Sequence, residues 1–282
     1  MITLDNGILK VTIDEIGAEI KSVVKDGVEY IWHGKEIWYQ SAPMLFPICS
    51  NLKNDKYVLD GKEYHMEKHG FTRNAPFILE SSTENSATYL LTETEETLKC
   101  YPFCFELRII YTLENNEIKV TYKVTNKNDK KMYFSIGAHE AYYTPEGIDA
   151  YDVVFEEKES LDSSYFGDGV VLNSTFPLTE NTDTYSLTDK LFEEVDSIII
   201  RTLKSRSATL LNRKTRRAVK IDFPFASSFL IWHVKGAPYI CLEPWAGFPD
   251  VEGSDYDFTK KEGIMEIETR GEYKGEHTLT FM

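Results

Sequence analysis

The chain is short of positive charge. Its 282 residues carry 31 Lys and Arg against 46 Asp and Glu, a formal net charge of −15. Nucleic acids and anionic membrane surfaces both require a basic footprint, so this balance excludes them as general partners. Long apolar runs are missing: none approaches the length of a membrane span, and Met1-Ile2-Thr3-Leu4-Asp5-Asn6 has neither the basic nor the apolar region of a signal peptide. Cysteine is sparse, with Cys49, Cys100, Cys104 and Cys241 showing no paired spacing. Cys100 and Cys104 are expected on one face of a strand, too far apart along it to bridge easily. Free buried thiols and a cytoplasmic location are therefore expected. Several motifs are absent as well. His65 and His69 have the i, i+4 spacing of a helical metal pair, but they stand in a strand–turn context without HExxH, so no metal site is expected. Gly70 and Gly137 belong to no phosphate loop, and there is no Gly-x-Ser-x-Gly elbow.

What is present is apolar and aromatic. Apolar residues make up 42% of the chain, enough for a full core, and Tyr and Phe dominate an aromatic share of 13% that suits half-buried strands. Asn6-Gly7, Asp26-Gly27 and Asp60-Gly61 each separate short apolar runs and predict hairpins. Ile118, Val120, Tyr122 and Val124 alternate with polar residues, as do Val219, Ile221 and Phe223, and then Leu279 and Phe281. Only Asp189 to Val195 reads as helical, and it is short. Such punctuation predicts an all-β protein built as a large antiparallel β-sandwich or barrel. With no linker, repeat or shift of composition, residues 1–282 read as one domain.

Three blocks carry the chemistry. In Cys241-Leu242-Glu243-Pro244-Trp245-Ala246-Gly247 a carboxylate closes an apolar run, with a proline expected to end the strand and Trp232 and Trp245 nearby. A Glu among apolar groups is desolvated, which raises its pKa towards the range of proton transfer. Lys68-His69-Gly70-Phe71-Thr72-Arg73-Asn74 and Gly137-Ala138-His139-Glu140-Ala141-Tyr142 each set a His beside Gly at the mouth of a strand. Taken singly, each also fits a plain structural role: a strand-end Glu held by backbone amides, a His capping a strand or bonded to a loop carbonyl.

Read in order, the three blocks resemble the aldose 1-epimerase (galactose mutarotase) superfamily, and most of all its LacX-like and hexose-6-phosphate-epimerase-like branches. Those sequences carry similar HGF-x-R, G-x-H and EPW-x-G blocks. The resemblance implies the galactose-mutarotase-like supersandwich and an isomerase that needs no metal or organic cofactor. Anomerisation takes a proton from the anomeric hydroxyl and gives one to the ring oxygen, so it needs a base and an acid at the same pH, pictured as a carboxylate and an imidazolium on opposite sides of the ring. By resemblance Glu243 is the base, His139 the acid, and His69 binds and orients the sugar.

Further residues follow by resemblance. In Phe46-Pro47-Ile48-Cys49-Ser50-Asn51-Leu52, many relatives have Gly-Arg where this chain has Ser50-Asn51. Asn51 is expected to donate to sugar hydroxyls, though without the guanidinium fork. Asp196 falls where relatives often have an Asp near the sugar, and equally fits an ordinary helix-to-strand junction. Trp232 and Trp245 fit sugar stacking or the core. Arg73 stands where the phosphate-specific branch has a basic residue, while Arg213-Lys214-Thr215-Arg216-Arg217 reads as a solvated hairpin tip. The first expectation is thus a mutarotase for a free hexose. The alternatives are a hexose-6-phosphate 1-epimerase and, in another class, a non-catalytic carbohydrate-binding or sensor protein. Homo-oligomerisation stays open.

Overall fold

Alternation decides the architecture. In a computed structural model describing residues 1–282, the strand Phe105–Glu114 buries Phe105, Leu107, Ile109, Tyr111 and Leu113, and its antiparallel partner Glu117–Asn126 buries Ile118, Val120, Tyr122 and Val124. They belong to a nine-stranded sheet in the order Val170–Ser186, Tyr151–Gly167, Ser207–Asn212, Ala218–Asp222, Glu272–Phe281, Glu117–Asn126, Phe105–Glu114, Ser86–Thr92, Ile78–Ser82. A second sheet runs Ser197–Ile200, Ser228–Trp232, Tyr239–Ala246, Ile136–Ala138, Met44–Leu45, with Glu140–Tyr143 also paired to Tyr239–Ala246. A four-stranded unit, Ile2–Asp5 to Val28–Glu29, completes the amino-terminal part.

The two large sheets pack face to face. One contiguous core draws Leu107, Ile109, Val120 and Leu279 from the first and Ile198, Ile231, Ile240 and Leu242 from the second. This is the expected antiparallel sandwich. Because side chains alternate along a strand, the opposite face of the second sheet must present Tyr239, Cys241, Glu243 and Trp245. That face carries the candidate site.

The three expected hairpins form. At Asp26-Gly27 and Asp60-Gly61 both turn residues have positive φ, the requirement of the tight turns that match strand twist. The expected helical stretch at Asp189–Val195 is a single 3-10 segment, Asp189–Glu193. One expectation fails. Cys100 and Cys104 do not share a strand: Cys100 ends the helix Glu95–Cys100, and Cys104 precedes the strand Phe105–Glu114. Thr94 starts that helix, its hydroxyl accepting from the Thr97 N–H while the Thr97 hydroxyl accepts from the Thr94 N–H. All four cysteines are free, Cys49 and Cys241 buried and the other two half-buried. No helix is long and apolar enough to cross a membrane.

Candidate active site

The strand Tyr239–Ala246 does not stop at its proline but runs through it. Its neighbours show why. Gly137 pairs with Trp245 and Glu140 with Leu242 in one register. That register sets His139 across from Glu243 and Ala138 across from Pro244, where the ladder is interrupted. Pro244 has no N–H to offer. The Ala138 carbonyl is taken instead by Trp245 Nε1 at 3.0 Å. Residues directly opposed in an antiparallel pair face the same side, so His139 and Glu243 form a cross-strand pair.

The two side chains meet there. His139 Nε2 lies 3.4 Å from Glu243 Oε2, with only 7% and 2% of the two residues exposed. Neither His139 Nδ1 nor Glu243 Oε2 has a hydrogen-bond partner. The imidazole and the carboxyl group are thus side by side. Gly137 has its own necessity: a Cβ there would sit 2.3 Å from Cδ1 of the Trp245 indole that flanks the pair.

His69 arrives from a separate loop. Ser50 and His69 both take left-handed backbone conformations, φ 61° and 69°, and they lock each other. The His69 N–H donates to the Ser50 carbonyl at 2.9 Å, and the Ser50 N–H donates to His69 Nδ1 at 3.0 Å. Accepting that bond fixes the His69 proton on Nε2, the donor left for a ligand. Gly70 continues the turn at φ +69°, and a Cβ there would meet the Phe46 carbonyl at 2.3 Å, so only glycine fits. The His69 ring lies 5.4 Å from that of His139 and 5.9 Å from that of Trp245.

Burial dominates the electrostatics. Desolvation raises the Glu243 carboxyl well above its usual value, opposed by Lys68 and helped by Glu140 and Asp196. It also lowers the His139 imidazole to about 3, with Lys68 and Arg73 pushing the same way. His69 falls well below its usual value, first through burial and then through His139, Lys68 and Arg73. Both shifts run towards the uncharged forms, a protonated Glu243 and a neutral His139. His139, Cys241 and Glu243 have metal-ligand atoms within 4.8 Å of one another. A cation held there would occupy both side chains of the pair, and burial pushes the Cys241 thiol up, away from the thiolate a metal needs.

The cavity above the pair has a volume of about 120 Å³. It gathers most of the expected residues: Glu243, His139, His69, Arg73, Asp196, Trp232 and Trp245 all line it. Trp245 is a buried wall, Trp232 is half-buried, and Asp196 is exposed at the rim, bonded to the Ser197 hydroxyl. Asn51 is not brought in. It lines an adjoining hollow that shares Lys68 and Arg73 with the cavity, because Ser50 takes the inward turn beside His69. The basic residues Arg213 to Arg217 form the expected hairpin tip between Ser207–Asn212 and Ala218–Asp222, away from the cavity. Sequence reasoning missed Trp38, Gln40, Ser50, Lys68 and Phe166, all of which line the site. Trp38 had one signal, a tryptophan four residues after Gly34 in a stretch without strand alternation.

Comparison with known proteins identifies the family and the fold. A profile of the aldose 1-epimerase family matches residues 1–262. The chain belongs to the aldose 1-epimerase family. It is 36% identical over 262 residues to the plasmid-encoded protein LacX of Lactococcus lactis subsp. lactis, covering 87% of each chain. Among solved structures, a galactose mutarotase related enzyme from Lactobacillus acidophilus superposes with a TM-score of 0.92 at 33% identity, over 100% of this chain and 97% of that one. A galactose mutarotase-like protein from Lactobacillus casei gives 0.92 at 30% identity, with complete coverage of both chains. The fold is the galactose-mutarotase-like β-sandwich, and the protein is an isomerase of the epimerase type.

Proposed function

We propose that the protein interconverts the α and β anomers of a hexose, with Glu243 as the base at the anomeric hydroxyl and His139 as the acid at the ring oxygen. The observation that carries this reading is the unpartnered, buried pair 3.4 Å apart at the base of the cavity. The anomeric hydroxyl oxygen and the ring oxygen are bonded to the same carbon, so two groups that stand side by side can reach both.

One shared proton suffices. With it on His139, Glu243 accepts the hydroxyl proton while the imidazolium protonates the ring oxygen, and the C1–O5 bond opens to the aldehyde. The proton then rests on Glu243, the form that burial favours. Rotation about the C1–C2 bond and reversal of both transfers give the other anomer. Lys68 favours the ionised form of Glu243, and the His69 Nε2–H is a donor for the sugar. No cofactor enters the step.

A second reading, a sugar phosphate, is favoured by Lys68 and Arg73 at the boundary of the cavity and the hollow, with Arg73 Nε buried and unpartnered. The deciding experiment dissolves the pure α-anomers of glucose, galactose and glucose 6-phosphate and follows interconversion by NMR or polarimetry, with Glu243→Gln as control. Acceleration that the control abolishes establishes the epimerase, and the preferred sugar settles whether phosphate is recognised. Equal rates with wild type and control would overturn the role of Glu243.

A further inference from the structure

Trp38 is placed oddly for a structural residue. It sits in the irregular segment between Val28–Glu29 and Met44–Leu45, half-buried, with exposed neighbours Ile37 and Tyr39. A loop tryptophan of this kind adds little to the sandwich core, and Trp38 is absent from its main cluster. Yet its ring makes three aromatic contacts. It lies 5.1 Å from the His139 ring at 30°, 5.6 Å from Tyr239 at 27°, and 5.3 Å from Trp232 at 64°.

The segment is tied down around that ring. Trp32 Nε1 donates to the Trp38 carbonyl at 2.8 Å, and the Trp38 N–H donates to the Lys35 carbonyl at 2.8 Å. Gly34 closes the turn at φ +62°, where a Cβ would sit 2.3 Å from the Tyr39 carbonyl. Trp32 is itself buried and packs 5.3 Å from Tyr239. The anchoring therefore serves to hold one indole over one imidazole.

We infer that Trp38 is a positioning residue for proton transfer: its indole covers His139, holds the imidazole beside Glu243 and keeps bulk water from the pair. The inference rests on the proposed roles of His139 and Glu243 but reaches a residue outside that pair. The groups facing His139 are Glu243 and Cys241 from the strand Tyr239–Ala246, and Lys68, His69 and Arg73 from the segment opposite. Trp38 adds no charge to this set, so its effect is through cover and orientation. Burial is the largest cause that keeps His139 from taking a second proton. Removing the cover should relax that constraint and let His139 protonate at higher pH.

The test uses the full chain with Trp38→Ala and Trp38→Phe. Titration of the substrate-free proteins by NMR, with His139→Asn to assign the imidazole signal, reads the cover directly. In wild type the His139 ring should stay neutral well below the ordinary imidazole range. In Trp38→Ala its midpoint should move up towards that range, and in Trp38→Phe it should stay near wild type, because a phenyl ring restores the cover. In parallel, kcat should fall by about 10- to 100-fold in Trp38→Ala, the scale of a misplaced catalytic group, with Trp38→Phe recovering most of it. Identical His139 titrations in Trp38→Ala and wild type would overturn the proposal. So would a loss confined to KM, which would make Trp38 a sugar-contacting residue only. The titration needs no substrate, so it reads the cover even if the mutarotase reading fails.

Discussion

Two buried glutamate–histidine pairs stand back to back in this protein. Glu140 and His139 are adjacent in sequence and point to opposite faces of one sheet. On the inner face, Glu140 Oε1 lies 2.9 Å from His277 Nε2, and His277 Nδ1 lies 2.9 Å from the Tyr122 hydroxyl. This chain joins the two sheets, since His277 and Tyr122 belong to the nine-stranded one. On the outer face, Glu243 and His139 are 3.4 Å apart and His139 Nδ1 has no partner. Each pair leaves one carboxylate oxygen without a partner, Glu140 Oε2 and Glu243 Oε2, so the difference lies in the histidines. His277 has both ring nitrogens engaged and is a brace, whereas His139 has capacity to spare beside a cavity and is fitted to be a reagent. The pair Asp189–His233 follows the inner pattern, with His233 Nδ1 on the Tyr239 carbonyl and Nε2 at 2.6 Å from Asp189.

The sharpest way to break the comparison is to damage each pair and ask which property suffers. Glu243→Gln or His139→Asn should lower kcat by about 10²–10⁴-fold, the value of one positioned base or acid, without loss of folding stability. Initial rates of mutarotation together with thermal unfolding check this, and a stability loss with an intact rate would reverse the assignment of the two pairs. His277→Leu should do the opposite. It strands the Glu140 carboxylate inside the core and should cost about 3–5 kcal/mol, read by urea unfolding, with kcat of the folded protein close to wild type. Adding Glu140→Leu to it should recover part of the loss.

A smaller effect tests how the outer pair is held. In Gly137→Ala the new methyl group meets the Trp245 indole at 2.3 Å. Overpacking of this kind costs about 1–3 kcal/mol, and here it also disturbs the ring whose N–H satisfies Ala138 across from Pro244. Both stability and rate should fall. Wild-type behaviour in both measurements would mean that the indole has room to move and is not part of the scaffold of the pair.

The same contrast marks how far the sequence is readable. Hairpins at Asp26-Gly27 and Asp60-Gly61, and strands such as Ile118 to Val124, follow from local rules, because turn chemistry and a period of two act over a few residues. The blocks around His69, His139 and Glu243 stood out for another reason, their joint resemblance to a known family, since each taken singly also fits a plain structural role. Their assembly was not legible, for His139 and Glu243 are joined by a register across two strands about a hundred residues apart in the chain. Trp38 escaped because its role depends on a loop folding over His139. Asn51 was misplaced because a left-handed Ser50 turns the chain by one residue, so that Ser50 rather than Asn51 lines the cavity. Pro244 read as a strand end, but its missing N–H falls where the neighbouring ladder is already interrupted.

Titration gives the finest test, since only the outer pair should govern the rate. On the proposed roles the active form carries one proton on the pair, so activity should be lost when a second proton adds or when the only one leaves. Burial pushes these two events apart. His139 is lowered to about 3, so the acid limb should lie well below the ordinary imidazole value. Glu243 is raised, so the alkaline limb should lie above the ordinary carboxyl value. The rate should therefore be bell-shaped with a broad top, and an acid limb near the value of a solvent-exposed histidine would contradict the buried pair. Stability should respond too. A depressed His139 withdraws stability as pH falls from the unfolded imidazole value towards about 3, and a raised Glu243 withdraws it as pH climbs above the unfolded carboxyl value. His139→Asn should then gain stability over wild type in moderate acid and lose that advantage near neutrality. Unfolding at the two pH values measures it, and an advantage that ignores pH would mean that His139 is not held neutral by the fold.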